Sequence, residues 1–220
     1  MKKFISSGAK NLVQLTLTLL LGLFLCGYEC NPSDPLTDPG RTINGVTWAS
    51  RNVDAFGTFT SAPENPGMFY QWNNPTAWPV SGVTSGWNDK YPPDTWNPLN
   101  DPCPEGWRMP TNLEFLSLLD QTVVLIETAS RNGVSGIQFI AQSSGAFIFL
   151  PFAGALNCDT GKFEDYQVFL AYWSSTPNLV YRSADALFIA QKESVEYINE
   201  RNNIIGIDKR YGLSIRCVKK

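Results

Sequence analysis

The chain reads as an α+β domain, loop-rich and built from small antiparallel sheets with one or two helices. Three observations predict this. Charged residues make up only 17% of the sequence against 13% aromatics, and 17 glycines and 15 prolines punctuate it, a composition that suits short strands and loops better than a helical bundle. One clear helix start stands mid-chain at Thr111-Asn112-Leu113-Glu114. Beyond Ile137, short apolar runs bounded by Gly, Pro and Asn follow one another at strand length.

The first element is an address. Lys2, Lys3 and Lys10 flank an apolar run from Leu12 to Leu25 that is interrupted by Gln14, Thr16 and Thr18. A spanning helix needs about 20 apolar residues, so residues 1–25 read as an export signal. Leu23-Phe24-Leu25-Cys26 follows a bacterial lipobox in its first leucine and departs from it at Leu25, where a small residue is usual. Cys26 is the candidate lipidation site, with cleavage to a soluble secreted protein as the alternative. Residues 26–40, rich in Pro and Asp, read as a flexible tether. Residues 41–220 then form one domain large enough for its own core. The expected location is the cell envelope, anchored at the outer membrane and exposed at the surface.

Within the domain, Asn44-Gly45 between short β-forming residues predicts an opening hairpin or edge strand. The stretch 61–106 is crowded with proline and carries Trp72, Trp78, Trp87 and Trp96. It predicts ordered irregular structure, because proline breaks helices and lacks the ladder donor. Thr111 and Glu114 form a capping box behind Pro110, followed by Leu113, Phe115, Leu116 and Leu119 as an apolar stripe. A second helical stretch is expected from about Gln121 to Arg131, ending at Asn132-Gly133, although Thr122, Val123, Val124 and Ile126 weaken it. Strands are expected at 145–152, 171–175, 184–190 and 212–218. In the last, Leu213, Ile215 and Cys217 alternate with Ser214, Arg216 and Val218.

Charge and composition also exclude partners. Of 17 basic residues three lie in the leader, so 14 face 20 acidic ones. No basic face is visible, and nucleic acid is not an expected partner. The chain contains no histidine, which removes Ser-His-Asp and Cys-His relays and histidine metal ligands. Any catalysis would rest on carboxylates, Lys, Tyr or Cys.

The ordered landmarks Trp48-Ala49-Ser50-Arg51-Asn52-Val53, Gly67 to Trp72, Asp101 to Thr111, Phe149 to Gly154, Tyr172 to Ser175 and Arg210 to Val218 resemble the Fibrobacter succinogenes major paralogous domain. That family is common in exported lipoproteins of Bacteroidetes-type bacteria. The resemblance spans residues 43 to 218, and its specific parts are 101–111 and the terminal Arg216-Cys217-Val218. It implies a C-type-lectin-like fold, with the N- and C-terminal strands adjacent, and a Cys103–Cys217 disulfide. On the chain-entropy model a bridge closing so long a loop contributes ~4–5 kcal/mol. The resemblance carries no activity and no set of binding residues.

Three groups of side chains are candidates for a site. Glu64-Asn65-Pro66 and Trp87-Asn88-Asp89 recombine the residue types that hold Ca²⁺ in C-type lectins. Here the first triplet is permuted and the second precedes the central helix, so turn formation is the preferred reading. No metal or cofactor is expected. Among the aromatics, Trp72, Trp96, Trp107 and Trp173 are read as core, while Trp78, Trp87 and Tyr91 are the binding candidates. Cys158 is either a buried free thiol or the partner of Cys30. The expected function is non-enzymatic binding of a glycan or surface protein, adhesion-like, with the membrane engaged only through the lipid anchor. A fimbria-type structural or tip subunit and a carboxylate-dependent glycan-active enzyme are the alternatives.

Overall fold

Asn44 and Gly45 both take positive φ, 45° and 79°, turning the chain between β1 (Arg41–Ile43) and β2 (Val46–Trp48) as an Asn-Gly pair does. The computed structural model describes residues 34–81 and 85–220. The export signal, Cys26 and Cys30 lie outside them. Among the described residues no helix is long and apolar enough to cross a membrane.

From Ala49 to Gly106 the chain is irregular, as its prolines dictate. Among its described residues the one helical or strand segment is a 3-10 turn at Pro98–Asn100, capped by the Asn97 side chain. Then come β3 (Trp107–Arg108), α1 (Asn112–Leu118), β4 (Val124–Arg131), β5 (Val134–Ala141), β6 (Phe147–Pro151), β7 (Ala155–Leu156), β8 (Phe163–Glu164), β9 (Phe169–Pro177) and β10 (Ser183–Ala190). A one-turn helix α2 (Glu200–Asn203) leads to β11 (Ile204–Asp208) and finally β12 (Val218–Lys219). The sheets run β1-β2-β12-β3, β4-β5-β6, β11-β10-β9 and β7-β8. All these strand pairs are antiparallel. The domain is therefore α+β and loop-rich, with small antiparallel sheets.

The first sheet joins the two ends of the domain. Val218 stands opposite Trp48 on one side and Arg108 on the other. The Cys103–Cys217 disulfide closes at the same seam, linking residues 114 apart in sequence.

The capping box forms as the sequence predicts. Glu114 N donates to Thr111 Oγ1 at 3.3 Å, and Thr111 N donates to Glu114 Oε2 at 2.8 Å. The buried side of α1 is Phe115 and Leu118 with Leu119 beyond, whereas Leu113 is 70% exposed. The expected stripe is thus shifted: Leu113 points to solvent and the unanticipated Leu118 turns inward.

The helix expected over 121–131 is instead strand β4. Val124 and Ile126 are buried with exposed Leu125 between them, a period of two. The β-branched residues that weaken helix favour this outcome. Asn132 and Gly133, at φ 48° and 80°, make the β4–β5 hairpin turn rather than a helix stop.

The expected strand at 212–218 is regular only at its end. Leu213 and Ser214 make single bridges to Tyr70 and Tyr172, and only Val218–Lys219 joins a ladder. The alternation is nonetheless real. Leu213, Ile215 and Cys217 enter one hydrophobic core with Trp72, Trp107 and Trp173. Val218 enters the other with Trp48, Phe115 and the inner faces of β4 to β6. Arg216 is wholly buried between them, donating to Asn52 Oδ1 (2.8 Å), Ala49 O (3.1 Å) and Phe149 O (3.0 Å). A buried cation is tolerated because each arm of its guanidinium has an acceptor.

Residues 34–40, the distal part of the expected tether, are docked on the domain. Asp38 accepts from buried Arg51 Nε at 3.1 Å and from Ser50 N and Oγ. Arg51 also donates to the carbonyls of Thr60, Asp34 and Thr37.

Candidate functional site

Strand parity builds an apolar groove. On β9, β10 and β11, Leu170, Tyr172, Leu187 and Ile189 face the core that holds Trp48. Phe169, Ala171, Phe188 and Ile207 face the opposite way, toward the tryptophan-rich core. That second core does not cover the sheet completely. It leaves a groove of about 360 Å³. Phe169 and Phe188 lie in it with ring centroids 5.1 Å apart, beside Ile205 and Ile207, and Glu164, Asp165, Asp208 and Tyr211 also line it.

The loop carrying part of this lining is conformationally costly. Asp165 and Gln167 take φ 59° and 58°, and Arg182 nearby in the β9–β10 turn takes 67°. Unlike the positive-φ asparagines of the hairpin turns, Gln and Arg visit this region rarely, and such strain gathers at functional sites. Gly154 lets the loop close: a Cβ there would stand 2.4 Å from Glu164 O.

Tyr91 belongs to this site. Its hydroxyl donates to Asp208 Oδ2 at 2.9 Å. The guanidiniums of Arg182 and Arg210 lie 4.2 and 4.5 Å from its ring centre. Arg210 grips Asp208 through Nε and Nη2 and reaches Asp159 at 3.0 Å. Burial pushes the Asp208 carboxyl up, but Arg210 and the Tyr91 hydroxyl outweigh it and hold the group below the usual carboxylate range.

Trp78 and Trp87 come together, with centroids 5.5 Å apart. They pack half-buried against Phe69, Ala153, Leu156 and Phe163. The Trp87 indole N–H donates to Cys158 O at 2.9 Å, and Gly161 lies flat against its ring. Trp87 thereby braces the 157–162 turn, and Trp78 packs on Trp87. Trp72, Trp107 and Trp173 are core, and Trp96 packs against it.

The two triplets compared with calcium ligands serve structural bonds. Glu64 Oε1 accepts from Asn132 Nδ2, and Asn65 O accepts from Asn52 Nδ2. Asn88 O accepts from Gln71 Nε2, and Asn88 Oδ1 caps its own turn at Lys90 N. Among the described residues no group of three or more His, Cys, Asp or Glu is arranged to hold a metal ion. Cys158 is buried with a free thiol, and burial, then Asp159, raises its pKa.

Phe169, Phe188, Ile205 and Tyr211 were not legible as site residues. Alternation along 184–190 separates Phe188 from Leu187 and Ile189, but only the strand order says which face is left uncovered. No family model matches the chain, and neither a curated protein nor a solved structure is found to be similar to it.

Proposed function

We propose that the chain is a C-type-lectin-like, non-enzymatic binding module of the Fibrobacter succinogenes major paralogous kind, held at the cell envelope through Cys26. Its groove on the β9-β10-β11 sheet takes a glycan. The adjacency of β1–β2 with β12 and the Cys103–Cys217 bridge support the fold kinship. One observation carries the function: an apolar aromatic surface lined by hydrogen-bond acceptors at Glu164 and Asp165. A sugar offers the complementary pair, a C–H face for the rings and hydroxyl donors for the carboxylates. Asp208 is held ionised by Arg210, and its oxygens already accept from Arg210 and the Tyr91 hydroxyl, so it braces the groove wall and is in the wrong protonation state for a general acid.

The test is retention on a glycan array and on host-matrix proteins, comparing wild type with Phe188→Ala and with the Trp78/Trp87→Ala pair. Wild type binds a defined glycan set, and Phe188→Ala loses it by about tenfold while remaining folded by circular dichroism. Wild type that retains no glycan, or a Phe188→Ala protein that binds equally well, overturns the proposal. A second reading has its own observation. Among the described residues the eight-residue β4 ends its sheet with no strand on its outer side, an edge open to a donated strand in a surface assembly.

A further inference from the structure

A separate cleft of about 430 Å³ lies across the molecule's N-terminal segment, lined by Arg41, Ser50, Ser61, Glu64, Arg131 and Asn132 among others. Arg131, the last residue of β4, lies with its guanidinium carbon 4.9 Å from the Phe147 ring centre and 5.7 Å from that of Phe149. Its side chain donates no hydrogen bond and makes no ion pair among the described residues. Its Nε is buried without an acceptor. The neighbouring Arg51 is different: Asp38 and three carbonyls consume its donors. Arg41, exposed at the cleft's rim, spends one donor on the carbonyl of Gly40 and pairs with no carboxylate among the described residues.

Two guanidiniums in one cleft with no carboxylate partner among the described residues stand out in a domain whose acidic residues outnumber its basic ones. A buried N–H with no acceptor calls for one. Stacking on phenyl rings fixes the guanidinium while leaving its N–H edge free, the arrangement that receives a planar or tetrahedral oxyanion. Glu64 limits what that oxyanion is attached to. It is itself buried, its Oε1 accepts from Asn132, and its Oε2 makes no hydrogen bond among the described residues. A carboxylate in the same cleft repels a polyanion but accepts a hydroxyl. We infer that this cleft binds an acidic saccharide residue, its carboxylate or sulfate on Arg131 and Arg41 and a hydroxyl on Glu64.

The site is independent of the sheet groove, and its test stands apart from glycan binding there. The folded domain is titrated with glucuronate, N-acetylglucosamine 6-sulfate, uncharged glucose and an Asp-rich peptide. Binding is followed by calorimetry and by amide shifts of Ser61, Glu64 and Asn132. One of the two acidic sugars binds with shifts confined to these residues, weakens as salt is raised, and loses about tenfold or more in Arg131→Gln. Arg131→Lys, which keeps the charge but not the fork, recovers only part of it. The carboxylate and sulfate arms tell which oxyanion the cleft prefers. Should Arg131→Gln fail to fold, the wild-type amide shifts and the Phe188→Ala protein, which keeps this cleft, still decide. Shifts absent from Ser61, Glu64 and Asn132, equal binding of glucose, or tighter binding of the peptide overturns the inference.

Discussion

Individual carboxylates in this domain are set in opposite directions by their neighbours. Burial pushes Glu114 up, but the Arg108 guanidinium (2.6 and 2.8 Å) and the Thr111 N–H bring it below its ordinary value. A group whose folded pKa is lowered binds fewer protons folded than unfolded. Its stabilisation is complete above the unfolded value of about 4.3 and is lost as pH falls through the folded one. Asp208 acts in the same sense, while Asp101, pushed up by burial, opposes them. Glu114→Gln is therefore expected to flatten the acid limb of stability. Its urea midpoint should fall less between pH 6 and pH 3 than that of wild type, and an equal fall refutes the role given to Arg108. The Glu114 half of this was visible in the sequence, since a capping box is local. The Arg108 partner was not, because the turn at Met109-Pro110 decides whether its side chain reaches Glu114.

The two glycines Gly133 and Gly154 show what separates a turn from a clasp at the scale of an element. Both take positive φ, 80° and 71°. A Cβ at Gly133 meets nothing within 4 Å, whereas at Gly154 it meets the backbone of Glu164 and Asp165. Gly133→Ala is expected to cost about 1–2 kcal/mol, the price of the left-handed backbone alone. Gly154→Ala should cost at least about 2 kcal/mol more than that and move the groove-lining loop. Urea melts of the pair check the ordering, and equal costs would show that the loop is not clasped. Asn132-Gly133 announces its turn in the sequence. The residues before it are ambiguous in the sequence, because Val123, Val124 and Ile126 fit either period over so short a run. Pairing with β5 settles it, and that pairing joins Val124 to Ala141 across the hairpin. The groove was illegible for the same reason: its lining comes from three strands, the β7–β8 unit and the 208–213 segment.

At the scale of the whole molecule, the disulfide joins parts that the first sheet already pairs. Cys103 lies just before β3 and Cys217 just before β12. Replacing both cysteines by serine is expected to lower unfolding free energy by about 2–5 kcal/mol while leaving the native circular dichroism unchanged. A loss below 1 kcal/mol would mean the sheet alone holds the ends together. This seam was legible through the landmark segments 101–111 and 216–218, which carry cysteine with a fixed local pattern. The separation of the two larger cores was legible only as the alternation along 213–218. Its meaning needed Arg216 placed between them, held by carbonyls from β6 and from the segment after β2.

The sulfur bridge also makes a covalent ring of everything from residue 103 to residue 217. At the β9–β10 turn Leu179 and Tyr181 are fully and largely exposed, the kind of loop tip where proteases cut first. A single chymotryptic nick after Tyr181 falls inside the ring, so the product should run as one band on a non-reducing gel and separate into two pieces only when dithiothreitol is added.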